Sequence, residues 1–322
     1  MTNATFRMAV TMAAAVACLT AGPAFAQAPA AAAKQFRTPW GHPDLQGIWT
    51  TWDETPLQAA DTPEEAGRVN SAEFEVLQKA PETVEGRLAS PSGGGMSQLH
   101  SSVVNARRRS LVVEPANGRI PVLPGRATVR RTDQGRQDSW TGHSGWERCF
   151  FKGPLGRNIE SGGNYDKAYR ILQTPTYVVI LHEQVHDMRI IPLDGRPHVG
   201  PGIRLWHGDA RGRFEGNTLV IETTNFNDRG DGYGGGRQTE SLKLVERYTR
   251  IDDKTLDFEV TVEDPTVFAQ PWKARAPHNL DREYVIYEYG CHEGNLRYME
   301  GALRAGRLRD AEAANRPAPT SR

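Results

Sequence analysis

Residues 256–263 alternate apolar and polar without a break: Leu256, Phe258, Val260 and Val262 interleave with Asp257, Glu259, Thr261 and Glu263. Successive side chains of a strand point to opposite faces, so a period of two buries one face and wets the other, and no amphipathic helix reads this way. The strand is expected to pair with Leu242 to Arg250 across the turn Asp252-Asp253-Lys254. Short runs rich in Val and Ile follow the same logic at Tyr169 to Gln173, Thr176 to Glu183 and Asp187 to Leu193, and Glu283 to Tyr289 adds a further strand. Gly216-Asn217 divides Arg211-Gly-Arg-Phe-Glu from Thr218-Leu-Val-Ile-Glu-Thr-Thr, a hairpin pattern. Only Leu296 to Ala314 reads as a helix, opening a C-terminal helix and tail over 296–322.

Seven or more short antiparallel strands without helices between them predict a mainly β fold. An antiparallel lipocalin-like barrel is favoured, with a β-sandwich as the alternative. A closed barrel removes sheet edges and leaves an interior that can hold a small ligand. No internal repeat marks a propeller.

The chain ahead of these strands is of another kind. Arg7, an alanine-rich apolar stretch from Met8 to Leu19 and the close Ala24-Phe25-Ala26 fit a cleavable secretory signal over residues 1–26. The apolar run is shorter than the roughly 20 residues that span a bilayer, and Gly22-Pro23 interrupts it, so no membrane span is expected in the mature protein. A linker and a mostly irregular segment rich in Gly, Pro and Ser run over 27–140, ahead of a β-barrel core over 141–295. Within it a strand is expected over 44–50, and Asn117-Gly118 between two apolar runs suggests a hairpin over 110–123, confined to a sheet edge by Pro115 and Pro121.

Loss of the signal removes Cys18 and leaves Cys149 and Cys291. In the oxidising space outside the cytoplasm, periplasm or beyond, the two are expected to form a disulfide. Lys and Arg number 39 and Asp and Glu 39, a balance that excludes the basic footprint of a nucleic-acid-binding protein.

His182-Glu183-Gln184-Val185-His186 matches H-E-x-x-H, where two histidines one helical turn apart bind zinc and the glutamate acts as base, as in a zinc metalloprotease. That geometry needs a helix, yet Tyr177-Val-Val-Ile-Leu before it and Met188-Arg-Ile-Ile-Pro after it favour strand. Extended, the two histidines would stand roughly 13 Å apart, so solvated or network histidines are expected in place of a zinc site. Asp228 and Asp231 beside the glycine-rich Gly232 to Arg237 lack the spacing of a calcium loop. Serine-hydrolase, phosphate-loop and dinucleotide motifs are missing, and no cofactor is predicted.

A dense polar stretch lies between strands: Asp194-Gly-Arg-Pro-His198, then Trp206-His-Gly-Asp-Ala-Arg-Gly-Arg-Phe-Glu-Gly-Asn-Thr-Leu-Val220, then Thr223-Thr-Asn-Phe226. With Pro43 to Trp49, Glu246-Arg247-Tyr248, Asp264-Pro265 and Cys291-His-Glu-Gly-Asn295, it resembles a large group of secreted bacterial proteins that share these motifs. The resemblance covers most of the mature chain and implies export and a lipocalin-like β fold, without lending an activity. Where the group reads Gly-Asp-Ser-Arg-Gly-Arg-Trp-Glu-Gly-Asp, this chain has Ala210, Phe214 and Asn217, which argues against catalytic roles for those three.

Function is therefore read from residue chemistry. The favoured expectation is an enzyme acting on a small organic molecule by proton transfer at a barrel mouth, a lyase, isomerase or hydrolase. A non-catalytic small-molecule-binding barrel is the alternative, and an envelope interaction protein a third possibility. His198 is the candidate general acid or base, with Asp194 or Asp209 orienting it and Arg196 or Arg211 stabilising negative charge. His292 and Glu293 form a competing pair, and Trp206, Arg213 and Tyr287 are candidate ligand contacts. The same residues could equally form a salt-bridge network pinning two loops.

Overall fold

The structure is a computed structural model that describes residues 36–50, 55–59, 110–126, 137–145, 147–150, 158–159, 168–230 and 238–315. The expected signal, the linker after it and Asp231 lie outside the described residues, as does the tail beyond residue 315.

Among the described residues, ten strands make one antiparallel sheet: β1 (Gly47–Thr50), β2 (Val112–Glu114), β3 (Tyr169–Gln173), β4 (Tyr177–His182), β5 (Met188–Pro192), β6 (Asp209–Glu215), β7 (Thr218–Thr224), β8 (Lys243–Arg250), β9 (Thr255–Glu263) and β10 (Trp272–Leu280). Their order is β5-β4-β3-β1-β10-β9-β8-β7-β6, with β2 added on β10. The sheet curls into a nearly closed barrel, as the strand pattern leads one to expect. Its ends, β5 and β6, meet without a hydrogen-bonded ladder, and the meeting depends on Gly212: a Cβ there would stand 2.8 Å from both Ile191 Cγ2 and Leu193 Cδ2. Across the barrel, Gly47 in β1 serves the same purpose, since a Cβ would lie 2.4 Å from Leu280 Cδ1 of β10.

The period-two pattern is realised in the packing. Leu256, Phe258, Val260 and Val262 of β9 are fully buried, as are Tyr169, Ile171, Ile180, Ile191, Leu244 and Trp272 from other strands. Each such side chain contributes roughly 1.5–3 kcal/mol over its exposed state. The segment from Phe36 to Gln46 ties down strand ends. Leu45 N donates to Gln173 Oε1 at 2.7 Å, Arg37 to Asn217 Oδ1 at 2.6 Å, and the Arg250 guanidinium lies 3.9 Å over the Phe36 ring.

Three expectations are corrected. The hairpin over 110–123 does not form: a turn closes from Gly118 N to Pro115 O, but its first arm pairs with β10, and Val122 and Leu123 join Phe268 and Val267. Each arm finds a better-buried partner than its sister. Residues 283–289 are not a strand; the Asp281 carboxylate accepts from the amides of Glu283 and Tyr284 and turns the chain away. The last strand is β10 instead, whose inward Ala274, Ala276 and His278 carry little strand signal and whose Pro277 argues against one. The helix α1 (Cys291–Ala314) starts five residues before the expected Leu296.

Cys149 and Cys291 are joined, as expected, which anchors the first residue of α1. Along the mostly exposed helix, Tyr298 meets His143 edge-on at 5.3 Å, Gly306 lies against the Asp138 carbonyl, and Arg309 pairs with the Asp138 carboxylate.

Candidate functional site

The polar block expected at a barrel mouth is assembled on the outer wall. Along β6, Ala210, Gly212 and Phe214 stand opposite the inward Thr223, Ile221 and Leu219, which leaves Asp209, Arg211 and Arg213 facing out. The turn from Asp194 to His198 folds against them, so two segments the sequence placed together do meet. His198 Nδ1 lies 3.0 Å from Asp209 Oδ2 and its Nε2 3.4 Å from Glu222 Oε1. Asp209 also accepts from Val199 N at 2.9 Å and Arg211 at 2.6 Å, and Glu222 pairs with Lys243 at 2.9 Å. Burial works to raise the Asp209 carboxyl, but Val199 N–H, Arg211 and His198 outweigh it and hold the group below the ordinary carboxylate range. Both ring nitrogens of His198 face carboxylates, the geometry of a network that pins a loop to the wall.

The other candidates are dispersed. Asp194 and Arg196 pair with each other, and Arg196 reaches the Tyr177 hydroxyl at 3.4 Å. His292 and Glu293 are exposed on the first turn of α1 beside the disulfide. Trp206 packs on Phe150 at 4.4 Å, Arg213 pairs with Glu215, and Tyr287 donates its amide to Glu183. Each of the three has a different neighbour.

The H-E-x-x-H run is neither helix nor extended chain. β4 ends at His182, and residues Gln184–His186 make a single tight turn in which Val185 (φ 62°) and His186 (φ 45°) leave the helical region. Glu183 is buried and accepts from the Tyr284 hydroxyl at 2.5 Å. Among the described residues, no group of three or more His, Cys, Asp or Glu side chains is placed to hold a metal ion.

The more concentrated chemistry lies inside the barrel, in a polar layer the sequence reading did not single out. Arg189 of β5 reaches across to Glu246 of β8 with two bonds, 2.9 and 2.5 Å, and to Thr223 of β7 at 3.3 Å. The Tyr248 hydroxyl donates to Glu246 Oε1 at 2.9 Å and accepts from Asn158 Nδ2 at 3.0 Å. His278 of β10 places Nε2 3.1 Å from the Asn158 carbonyl and Nδ1 2.6 Å from the Tyr169 hydroxyl of β3. The chain of contacts from Arg189 to Tyr169 thus crosses the lumen. Tyr169, Glu246, Tyr248 and His278 are all 0% exposed.

Burial decides the protonation states. It depresses His278 to about 4, against the help of the Asn158 carbonyl, so the ring is neutral at pH 7. A carbonyl only accepts, so Nε2 carries the proton and Nδ1 receives the Tyr169 hydroxyl. Burial foremost, and then the charge of Glu246, push both tyrosines well up and keep them protonated. A signal for this layer was present. In Lys243 to Arg250, period two sets Glu246 beside Leu244 and Tyr248 on the inward face, and in β5 Arg189 shares a face with Ile191. A charge on the apolar side of a strand is the informative exception to burial rules.

No protein-family model, curated protein sequence or solved structure matches this chain.

Proposed function

We propose that the protein is an exported enzyme that acts on a small organic molecule by acid–base chemistry without an organic cofactor, and that the lumen layer is where it does so. The observation that carries this reading is the 2.6 Å bond from the Tyr169 hydroxyl to Nδ1 of a neutral, fully buried imidazole. Such a pair is a two-ended proton relay. A proton leaving His278 Nε2 for a substrate atom is replaced at Nδ1 by the Tyr169 proton, and the reverse movement restores the pair. Reactions of this class are eliminations, isomerisations and hydrolyses. Keeping Arg, Glu, His and two Tyr side chains in a barrel interior costs desolvation that apolar residues of similar volume would avoid. Strongly perturbed titrating groups cluster at sites that use them.

Export is supported by the character of residues 1–26 and by the disulfide, a bond that persists in oxidising compartments. The shared motifs of the secreted bacterial group point the same way. A second reading, a barrel that binds without transforming, draws on the fact that both tyrosine hydroxyls and both His278 nitrogens already have partners.

The two readings separate by experiment. Small molecules released from protein purified from its source are identified by mass spectrometry and returned to wild type, Tyr169→Phe and His278→Gln. The enzyme reading expects conversion by wild type and a loss of roughly a hundredfold or more in each folded variant. Binding without conversion selects the second reading, and full turnover in both variants removes the relay.

A further inference from the structure

The arginines of the strands are engaged, with one exception. Arg189, Arg211, Arg213, Arg247 and Arg275 each hold a carboxylate, and Arg250 holds the carbonyls of Asp44, Asp252 and Asp253. Arg170 of β3 has no such acceptor among the described residues, and neither has Arg282, two residues beyond β10. Both are exposed, and both line the same groove of about 350 Å³. That is the small end of the roughly 300–1,000 Å³ of ligand pockets.

Strand parity sets the groove on the outer wall. Trp49, Tyr169 and Ile171 are buried in the core, so Ile48, Arg170 and Leu172 share the opposite face, and Leu280 joins them as apolar lining. Asp281 is the acid of the lining, and its carboxylate already accepts from the amides of Glu283 and Tyr284. Two guanidiniums against one engaged carboxylate leave a net positive groove. Arg250 adds to that field: burial foremost lowers its pKa, Asp44 opposes the shift, and the charge of Arg282 furthers it. The apolar lining also continues past the groove. Leu172 stands beside Val179 of β4, and Val179 beside Ile190 of β5. Leu172 is 46% and Ile190 55% exposed, and adjacent strands lie roughly 4.8 Å apart, so the row extends over roughly 10 Å.

We propose that this groove binds a monocarboxylate carried on an extended aliphatic chain, with Arg170 and Arg282 receiving the carboxylate and the chain laid from Leu172 toward Ile190. The site is separate from the lumen and does not depend on the chemistry proposed there. A guanidinium fork matches a carboxylate with two parallel bonds, and a single negative charge suits the excess of one guanidinium over the Asp281 carboxylate. Each methylene laid on the row withdraws apolar surface from water. A neutral chain leaves both arginines without an acceptor, and a short acid leaves the row uncovered.

The test uses the full, disulfide-bonded chain and titration calorimetry with octanoate, butyrate and 1-octanol as probes. Octanoate is expected to bind about tenfold or more tightly than either of the others, and to weaken as salt screens the exposed charges. Arg170→Gln and Arg282→Gln should each weaken octanoate by about tenfold. Arg304→Gln, which removes the same charge from the exposed face of α1, should not. Ile190→Ser should weaken octanoate and leave butyrate as it is. All four side chains are exposed, and circular dichroism establishes that the variants are folded. No binding of octanoate, equal affinity for butyrate, or octanoate affinity unchanged in both Arg170→Gln and Arg282→Gln overturns the proposal. Binding to phosphatidylglycerol vesicles without binding to octanoate would assign the face to a membrane surface and overturn it as well.

Discussion

Lowering the pH from 7 toward 4 puts His278 in conflict with the fold. The unfolded chain takes up a proton at an ordinary histidine near 6.5, whereas the folded protein, where burial opposes the charge, takes it up only near about 4. The unfolded state therefore binds more protons in between, and stability falls as pH falls through that window. The contribution is fully present above pH 6.5 and is lost by about pH 4. A gap of about 2.5 pH units, at about 1.4 kcal/mol each, amounts to about 3 kcal/mol. Carboxylates act lower: Asp209, Glu222 and Glu147 are held below their ordinary values near 4, so their share of stability disappears only in stronger acid. His278→Gln isolates the histidine, since a carboxamide can still donate toward Asn158 and accept from Tyr169 without titrating. Urea unfolding followed by fluorescence of the buried Trp49 and Trp272 is measured between pH 7 and 4.5. The difference between wild type and variant should shrink toward acid with a slope approaching about 1.4 kcal/mol per pH unit. A difference that stays constant across the range would refute the assignment.

Other predictions concern the lumen, the wall, the helix and the disulfide. Arg189→Met should cost about 3–5 kcal/mol by stranding the Glu246 carboxylate, and Arg189→Met/Glu246→Leu should recover most of it, both read by urea unfolding; equal costs would show the pair is not coupled. His198→Ala is expected to lower stability by about 1–2 kcal/mol and, if the proposed conversion is found, to leave it unchanged; a hundredfold loss in folded protein would move the proposed site to the outer wall. Gly306→Ala should lower the melting temperature, because its Cβ would stand 2.1 Å from the Asp138 carbonyl, whereas Gly301→Ala meets nothing within 4 Å and should stabilise α1 by up to about 1 kcal/mol. Reducing the disulfide should cost about 4–5 kcal/mol in the chain-entropy model, seen as a lower melting temperature with reductant; non-reducing peptide mapping that finds two free thiols would remove the premise.

What was legible in the sequence was the part governed by local period. β9 reads directly from its alternation, and the turns after β6 and β8 from Gly216 and Asp252 to Lys254, because strand and turn chemistry act over a few residues. β10 was hidden because its inward positions hold alanine and histidine, and what makes it a strand is two flanking partners, β9 and β1. The same holds for the site. Asp209, Arg211 and His198 were found as a polar cluster, but facing out or in is a matter of strand parity, and Ala210 and Phe214 were the residues that carried it. Tyr169, Arg189, Glu246 and His278 come from four strands, so no spacing along the chain announces them, although Glu246 and Arg189 each break an apolar face.

The place of β1 has a consequence in time. It pairs on one side with β3 and on the other with β10, so Trp49 needs both Tyr169 and Leu280 beside it. The remaining neighbours in the sheet are mostly consecutive in the chain and can close as hairpins within about 1–10 μs. Synthesis at roughly 5–20 residues per second brings β10 on the order of ten seconds or more after β1 has emerged. The earliest strand is thus the last to be satisfied, and it carries an aromatic ring that the finished protein hides completely. Through all of that interval the chain is held short of its closed form, which is the condition a polypeptide must keep if it is to be threaded through a membrane before it folds.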